Sequence, residues 1–218
     1  MLKVSGLHVR IGSVEALRGL SLEVMRGEMV GLSGRNGAGK TTAMRAIMGM
    51  VRAGQGGVSL DGVDLTKVPV HHRAALGIGY MPEDRGLIPD LTVEENILLP
   101  TWVTRELDGE VRLKAVYGAM PELRQMADRR ALLLSGGQQK LVALGRALAA
   151  GTRLLLLDEP FEGVAPALAQ RLSDVISGLK STNTAILISQ SELTHSEVFL
   201  DRNFVIERGA NMKVAVEG

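Results

Sequence analysis

The eight residues Gly34-Arg35-Asn36-Gly37-Ala38-Gly39-Lys40-Thr41 constrain this chain more than any other segment. They fill every fixed position of the phosphate-loop pattern: a glycine, four free positions, then Gly-Lys-Thr. A short β-like run from Met29 to Ser33 precedes them, and Met44, Ile47 and Met48 follow at helical spacing, with Gly49 near the end. Strand, glycine loop and helix is the order that lets successive backbone N–H groups turn inward around β- and γ-phosphates, with the positive end of the helix behind them. Lys40 brings a mobile point charge for the phosphate oxygens, and the Thr41 hydroxyl is suited to a Mg²⁺ shell. The segment Gly34 to Thr41, with Thr42 beside it, is therefore the predicted nucleotide-binding element.

Two further segments carry chemistry. Leu154-Leu155-Leu156-Leu157 reads as a strand buried on both faces, and Asp158-Glu159-Pro160 follows where it emerges. Beside a phosphate loop, Asp158 is suited to hold Mg²⁺ and Glu159 to polarise an attacking water. Alone, the pair would be an acidic turn stopped by proline. Leu134-Ser135-Gly136-Gly137-Gln138 opens a helix with Leu141, Leu144 and Leu148 on one face, ending near Gly151. Ser135 and Gln138 stand in a capping-box relation. Two glycines in a first turn cost helix stability, and bare N–H groups approaching an anion would explain them.

The rest of the chain sorts around these motifs. Short β-like runs open it, at Leu7 to Ile11, Leu20 to Val24 and Val58 to Leu60, the last entering the turn Asp61-Gly62. They predict a small antiparallel sheet near the N-terminus. From Leu87 to Ala149 helical patterns dominate, and Thr92 with Glu95 predicts a capping box. Ala185 to Ile188 reads as a second buried parallel strand, and Phe204-Val205-Ile206, turning at Gly209 towards Val214-Ala215-Val216, as a closing hairpin. The expectation is one α/β domain over 1–218. Segments 1–85 and 150–218 form the nucleotide-binding core with its β subdomain, and 86–149 a helical subdomain carrying the Leu134-Ser135-Gly136-Gly137-Gln138 motif.

Phosphate loop, Leu-Ser-Gly-Gly-Gln and Leu-run-Asp-Glu, in this order and at these separations, resemble the ATP-binding subunit of an ABC transporter. The likeness covers nearly the whole chain. Met81-Pro82-Glu83-Asp84-Arg85, Leu91-Thr92-Val93-Glu94-Glu95-Asn96 and Gly163-Val164-Ala165-Pro166 are similar to the importers of branched-chain, hydrophobic amino acids. The resemblance implies a P-loop NTPase (RecA-like) core and a sandwich of two subunits, identical or not. Each ATP would lie between one phosphate loop and the partner's Ser135, Gly136, Gly137 and Gln138. It implies permease subunits in the membrane, a separate solute-binding protein outside it, and a place on the cytoplasmic face of the cell membrane. Four positions depart from the common pattern. Ile11 stands where an aromatic usually stacks on adenine, and Glu83 where a Mg²⁺-linked glutamine is usual. Gln190 replaces the switch histidine; it can hydrogen-bond a γ-phosphate but cannot become cationic. Gly163-Val164-Ala165 lacks the aspartate of the loop after the carboxylate pair.

Composition removes other classes. With 25 basic and 24 acidic side chains the net charge is +1, and aromatics are 3% of 218 residues, so neither a polyanion-binding surface nor base-stacking platforms are expected. No apolar run reaches membrane-spanning length, and the first residues lack the form of a signal peptide. Zero cysteines exclude thiol chemistry and disulfides. His8, His71, His72 and His195 lack metal-ligand spacing. Of the competing readings, a soluble ABC ATPase working on nucleic acid or ribosomes would bring a second cassette or a long coiled-coil insertion. A small-molecule phosphotransferase would not need Ser135-Gly136-Gly137.

Overall fold

The computed structural model describes residues 1–212. Two sheets organise it. The first is antiparallel, in the order β2-β1-β4-β5, and is built from β1 (Leu2–Ile11), β2 (Val14–Val24), β4 (Gln55–Leu60) and β5 (Val63–Asp64). β4 and β5 are joined by Asp61-Gly62, at φ 49° and 84°. Leu60 pairs with Val63 across it, and two successive positive φ values are what a tight two-residue hairpin requires.

The second sheet has the order β10-β9-β3-β8-β7-β6, using β3 (Met29–Ser33), β6 (Ile78–Met81), β7 (Leu154–Asp158), β8 (Ala185–Gln190), β9 (Arg202–Glu207) and β10 (Ala210–Asn211). Every pairing in it is parallel except β9 with β10. β9 and β10 form a hairpin that turns at Arg208-Gly209, and β9 runs parallel to β3. The second arm predicted at Val214-Ala215-Val216 lies outside the described residues.

Side chains alternate between the two faces of this sheet, and each face has its own core. Val30, Leu32, Leu154, Leu156, Ala185 and Leu187 pack with the antiparallel sheet and with α1 (Lys40–Ile47). Met29, Met81, Leu155, Leu157, Ile186 and Ile188 pack with the helices: α2 (Val93–Trp102), α3 (Gly109–Ala119), α4 (Pro121–Arg124), α5 (Gly136–Ala150) and α6 (Pro166–Gly178). The apolar side chains of α2 to α5 thus share one core with the sheet. Both capping boxes form, Thr92 with Glu95 at α2 and Ser135 with Gln138 at α5. Gly151 ends α5, its N–H bonded to the Ala147 carbonyl. The chain therefore folds as an α/β P-loop core carrying an N-terminal antiparallel β subdomain and an inserted helical segment. Among the described residues no helix is long and apolar enough to cross a membrane.

Candidate functional site

Parallel pairing gathers the chemistry at one edge. Ser33 is paired with Gln190 and Asp158 with Ser189, so the carboxyl ends of β3, β8 and β7 stop side by side. β6 pairs Met81 with Leu157 and delivers Glu83 to the same edge. A cleft of about 490 Å³ opens there, lined by Asn36, Gly37, Gly39, Lys40, Thr41, Thr42, Glu83 and Glu159.

Space and backbone geometry explain the loop's glycines. Gly37 and Gly39 have φ of 79° and 112°, in the left-handed region that favours glycine. Gly34 is needed for closeness instead: a β-carbon there would lie 2.3 Å from the Ile206 carbonyl oxygen. Lys40 is buried, its Nζ donating to the carbonyls of Gly34 (2.6 Å) and Arg35 (3.2 Å) and pairing with Glu159 Oε1 at 3.1 Å. Arg35 and Ala38 thus contribute backbone and packing to the loop.

Three oxygens converge beyond Lys40. Thr41 Oγ1 lies 3.2 Å from Asp158 Oδ1 and 3.4 Å from Glu83 Oε2. Asp158 also accepts from the Ser189 hydroxyl and from Tyr80 Oη at 3.3 Å. Burial pushes the Asp158 carboxyl above the usual carboxylate range, and the hydrogen bonds from Ser189 and Thr41 oppose that shift. Burial also pushes the Tyr80 phenol up, with the Asp158 charge adding to it, so Tyr80 stays a neutral donor. Among the described residues no three His, Cys, Asp or Glu side chains are grouped to hold a metal by themselves. One hydroxyl and two carboxylates form an all-oxygen set that suits Mg²⁺, a cation that commonly completes its shell with waters and substrate phosphates.

Glu159 is held from every side. Its backbone has φ 47°, unusual for a residue with a side chain. Its N–H donates to Ser189 O and Oγ, both at 3.1 Å, and its carbonyl accepts from Lys140 Nζ at 3.0 Å. The carboxylate accepts from Ser191 N at 3.1 Å and Ser191 Oγ at 2.9 Å.

Several predicted residues stand apart from this cluster. Gln190 is buried, but its Nε2 donates to the Ser196 hydroxyl, and its Oε1 has no partner. Ile11 is 52% exposed at the tip of the β1–β2 hairpin and does not line the cleft, whereas Val14 and Ala16 do. Ser135, Gly136, Gly137 and Gln138 lie outside the cleft altogether. Ser135 and Gly136 are exposed. At Gly137 packing gives a second reason for glycine, since a β-carbon would come within 2.7 Å of Leu168 Cδ2. Sequence reasoning missed Ser189, Ser191 and Tyr80. Ser189 and Ser191 flank Gln190 directly, and that adjacency is the signal available.

A phosphate loop before a helix, with a carboxylate pair at the neighbouring strand end, defines a nucleoside-triphosphate hydrolase of the P-loop class. Comparison with known proteins narrows it. Residues 17–162 match the ABC transporter family. The high-affinity branched-chain amino acid transport ATP-binding protein BraG of Pseudomonas aeruginosa is 34% identical over 96% of this chain and 90% of its own. The lipopolysaccharide export system ATP-binding protein LptB of Haemophilus influenzae is 34% identical over 87% of this chain and 80% of its own. A nucleotide-free ATP-binding cassette from an ABC transporter superposes with TM-score 0.84 at 27% identity, covering 98% of this chain and 90% of that one. The chain belongs to the ABC transporter family, as an ATP-binding subunit with ATPase activity.

Proposed function

We propose that this chain is the motor subunit of an importer for branched-chain or other hydrophobic amino acids, working as one half of a two-subunit ATP sandwich. Its likeness to BraG carries the cargo assignment, because that likeness covers more of both chains than the likeness to LptB (96% and 90% against 87% and 80%). Export of a lipid-linked glycan is the second reading, favoured by the equal identity to LptB.

In this account the phosphate-loop N–H groups and Lys40 bind the β- and γ-phosphates. Thr41, Asp158 and Glu83 hold Mg²⁺, which when bound neutralises charge on the phosphate oxygens. Glu159 orients a water and accepts its proton as it attacks the γ-phosphate. Ser135 and Gly136, which are exposed, and Gly137 and Gln138, half-buried beside them, lie outside their own subunit's cleft and close the cleft of a second subunit. Gln190 reaches the γ-phosphate by releasing Ser196 and presenting its N–H. Ile11, turned out of the cleft at the hairpin tip, gives adenine no stacking platform, leaving most affinity to the phosphates. Permease subunits in the membrane, and through them a solute-binding protein, are the partners; nucleic acid is not. The place of work is the cytoplasmic face of the membrane.

Purification with its membrane subunits and reconstitution into vesicles tests the cargo. Stimulation of ATP hydrolysis by a leucine-loaded solute-binding protein is expected. Stimulation by lipopolysaccharide, with no response to the loaded binding protein, would favour the export reading instead.

A further inference from the structure

Ser191 follows β8 directly and makes more contacts to the reactive cluster than Gln190, the residue that holds the switch position. Its N–H and hydroxyl reach the two oxygens of the Glu159 carboxylate, at 3.1 and 2.9 Å. The same hydroxyl oxygen lies 2.7 Å from Asn36 Oδ1 in the phosphate loop and 3.1 Å from Lys40 Nζ. Gln190 is meanwhile turned to Ser196. Ser191 thus joins the end of β8, the phosphate loop and the catalytic carboxylate at a single atom.

A serine hydroxyl has one proton and two acceptor sites. Lys40, a pure donor, occupies one acceptor site. The proton can go to Glu159 or to the amide oxygen of Asn36, but not to both. Turning the Asn36 amide by 180° makes Nδ2 the donor and satisfies all three contacts, with the Ser191 hydroxyl donating to the Glu159 carboxylate; amide orientation is fixed by the network around it.

Lys40 holds Glu159 by charge at 3.1 Å, and the proposed reaction takes that charge away towards the phosphates. What then keeps the carboxylate in place are the two donors of Ser191. We infer that Ser191 is a positioning residue for hydrolysis, clamping Glu159 by its N–H and hydroxyl when Lys40 turns to the phosphates. The inference rests on Glu159 being the residue that orients water. The backbone half of the clamp survives any side-chain change, so the hydroxyl half is what mutation can read.

The test compares steady-state hydrolysis across ATP concentrations for wild type, Ser191→Ala, Ser191→Thr, Glu159→Gln and the Ser191→Ala/Glu159→Gln double variant. Ser191 is exposed, so these changes leave the core intact. Ser191→Ala is expected to lower kcat about 10- to 100-fold, the scale of a displaced reactive group, while KM for ATP stays within about threefold. Ser191→Thr, which keeps the hydroxyl, should recover kcat to within about threefold of wild type. The double variant should turn over within about threefold of Glu159→Gln alone, because the clamp acts only through that carboxylate. A kcat within twofold of wild type for Ser191→Ala, a Thr variant as slow as the Ala variant, or fully additive losses in the double variant would each overturn the inference. Normal turnover by Glu159→Gln would instead overturn the reading of Glu159 beneath it.

Discussion

Gly79 and Ala147 are in such close approach that a β-carbon on Gly79 would lie 2.0 Å from the Ala147 carbonyl oxygen. Gly79 lies in β6 and Ala147 in α5, so the absent side chain lets α5 settle onto the strand that delivers Glu83. The atom in the way is backbone and cannot rotate aside. Gly79→Ala should therefore destabilise the fold by about 1–3 kcal/mol through overpacking. Urea unfolding checks this, and an unchanged midpoint would contradict it.

Asp61 gathers three cations: the Met1 ammonium, Arg26 at 2.9 Å and Arg153. Hydrogen bonds from Arg26, then from the chain terminus and Arg153, hold its carboxyl well below the usual carboxylate range. A depressed folded-state pKa stabilises above the unfolded value, near 4, and that contribution is lost as pH falls through the folded value. Asn tolerates the left-handed turn position, so Asp61→Asn removes charge with the turn kept. Partial exposure of the partners limits the loss to about 1–2 kcal/mol at pH 7. The gap between variant and wild type should stay constant from pH 5 to 8 and close below about pH 4. Melting curves across pH read it directly.

Ser135 caps α5, is exposed and does not line its own subunit's cleft. If the site is shared between subunits, Ser135→Arg should reduce turnover by at least about 100-fold while ATP affinity of the monomer changes little. Titration of a fluorescent nucleotide beside a phosphate-release assay separates the two quantities. Normal hydrolysis by this variant, or a specific activity that stays flat on dilution to monomers, would contradict the shared site.

Legibility followed locality. The phosphate loop, Asp158-Glu159 and both capping boxes are contiguous in sequence and depend on neighbours within a few residues, so spacing alone reveals them. β6 is four residues containing Gly79 and is a strand only because Leu154 to Leu157 lie beside it. Asn36, Lys40, Glu159 and Ser191 lie up to 155 positions apart and meet only where parallel strands end together. Ile11 aligned with an adenine-stacking position, yet the hairpin tip turns it outward, a matter of twist and register that no local pattern carries. Gln190 likewise sat at the expected place on β8, and only packing shows its amide committed to Ser196.

The central claim is that Glu159, held by Ser191 and Lys40, orients the water that attacks the γ-phosphate. Glu159→Gln keeps shape and hydrogen-bonding capacity while removing the base. Phosphate release under saturating Mg-ATP, on protein free of contaminating ATPase and with nucleotide binding measured on the same preparation, tests it most directly. The account predicts turnover reduced by about 10² to 10⁴ with ATP binding retained and ATP-bound dimers accumulating. Turnover close to wild type in that variant would contradict it.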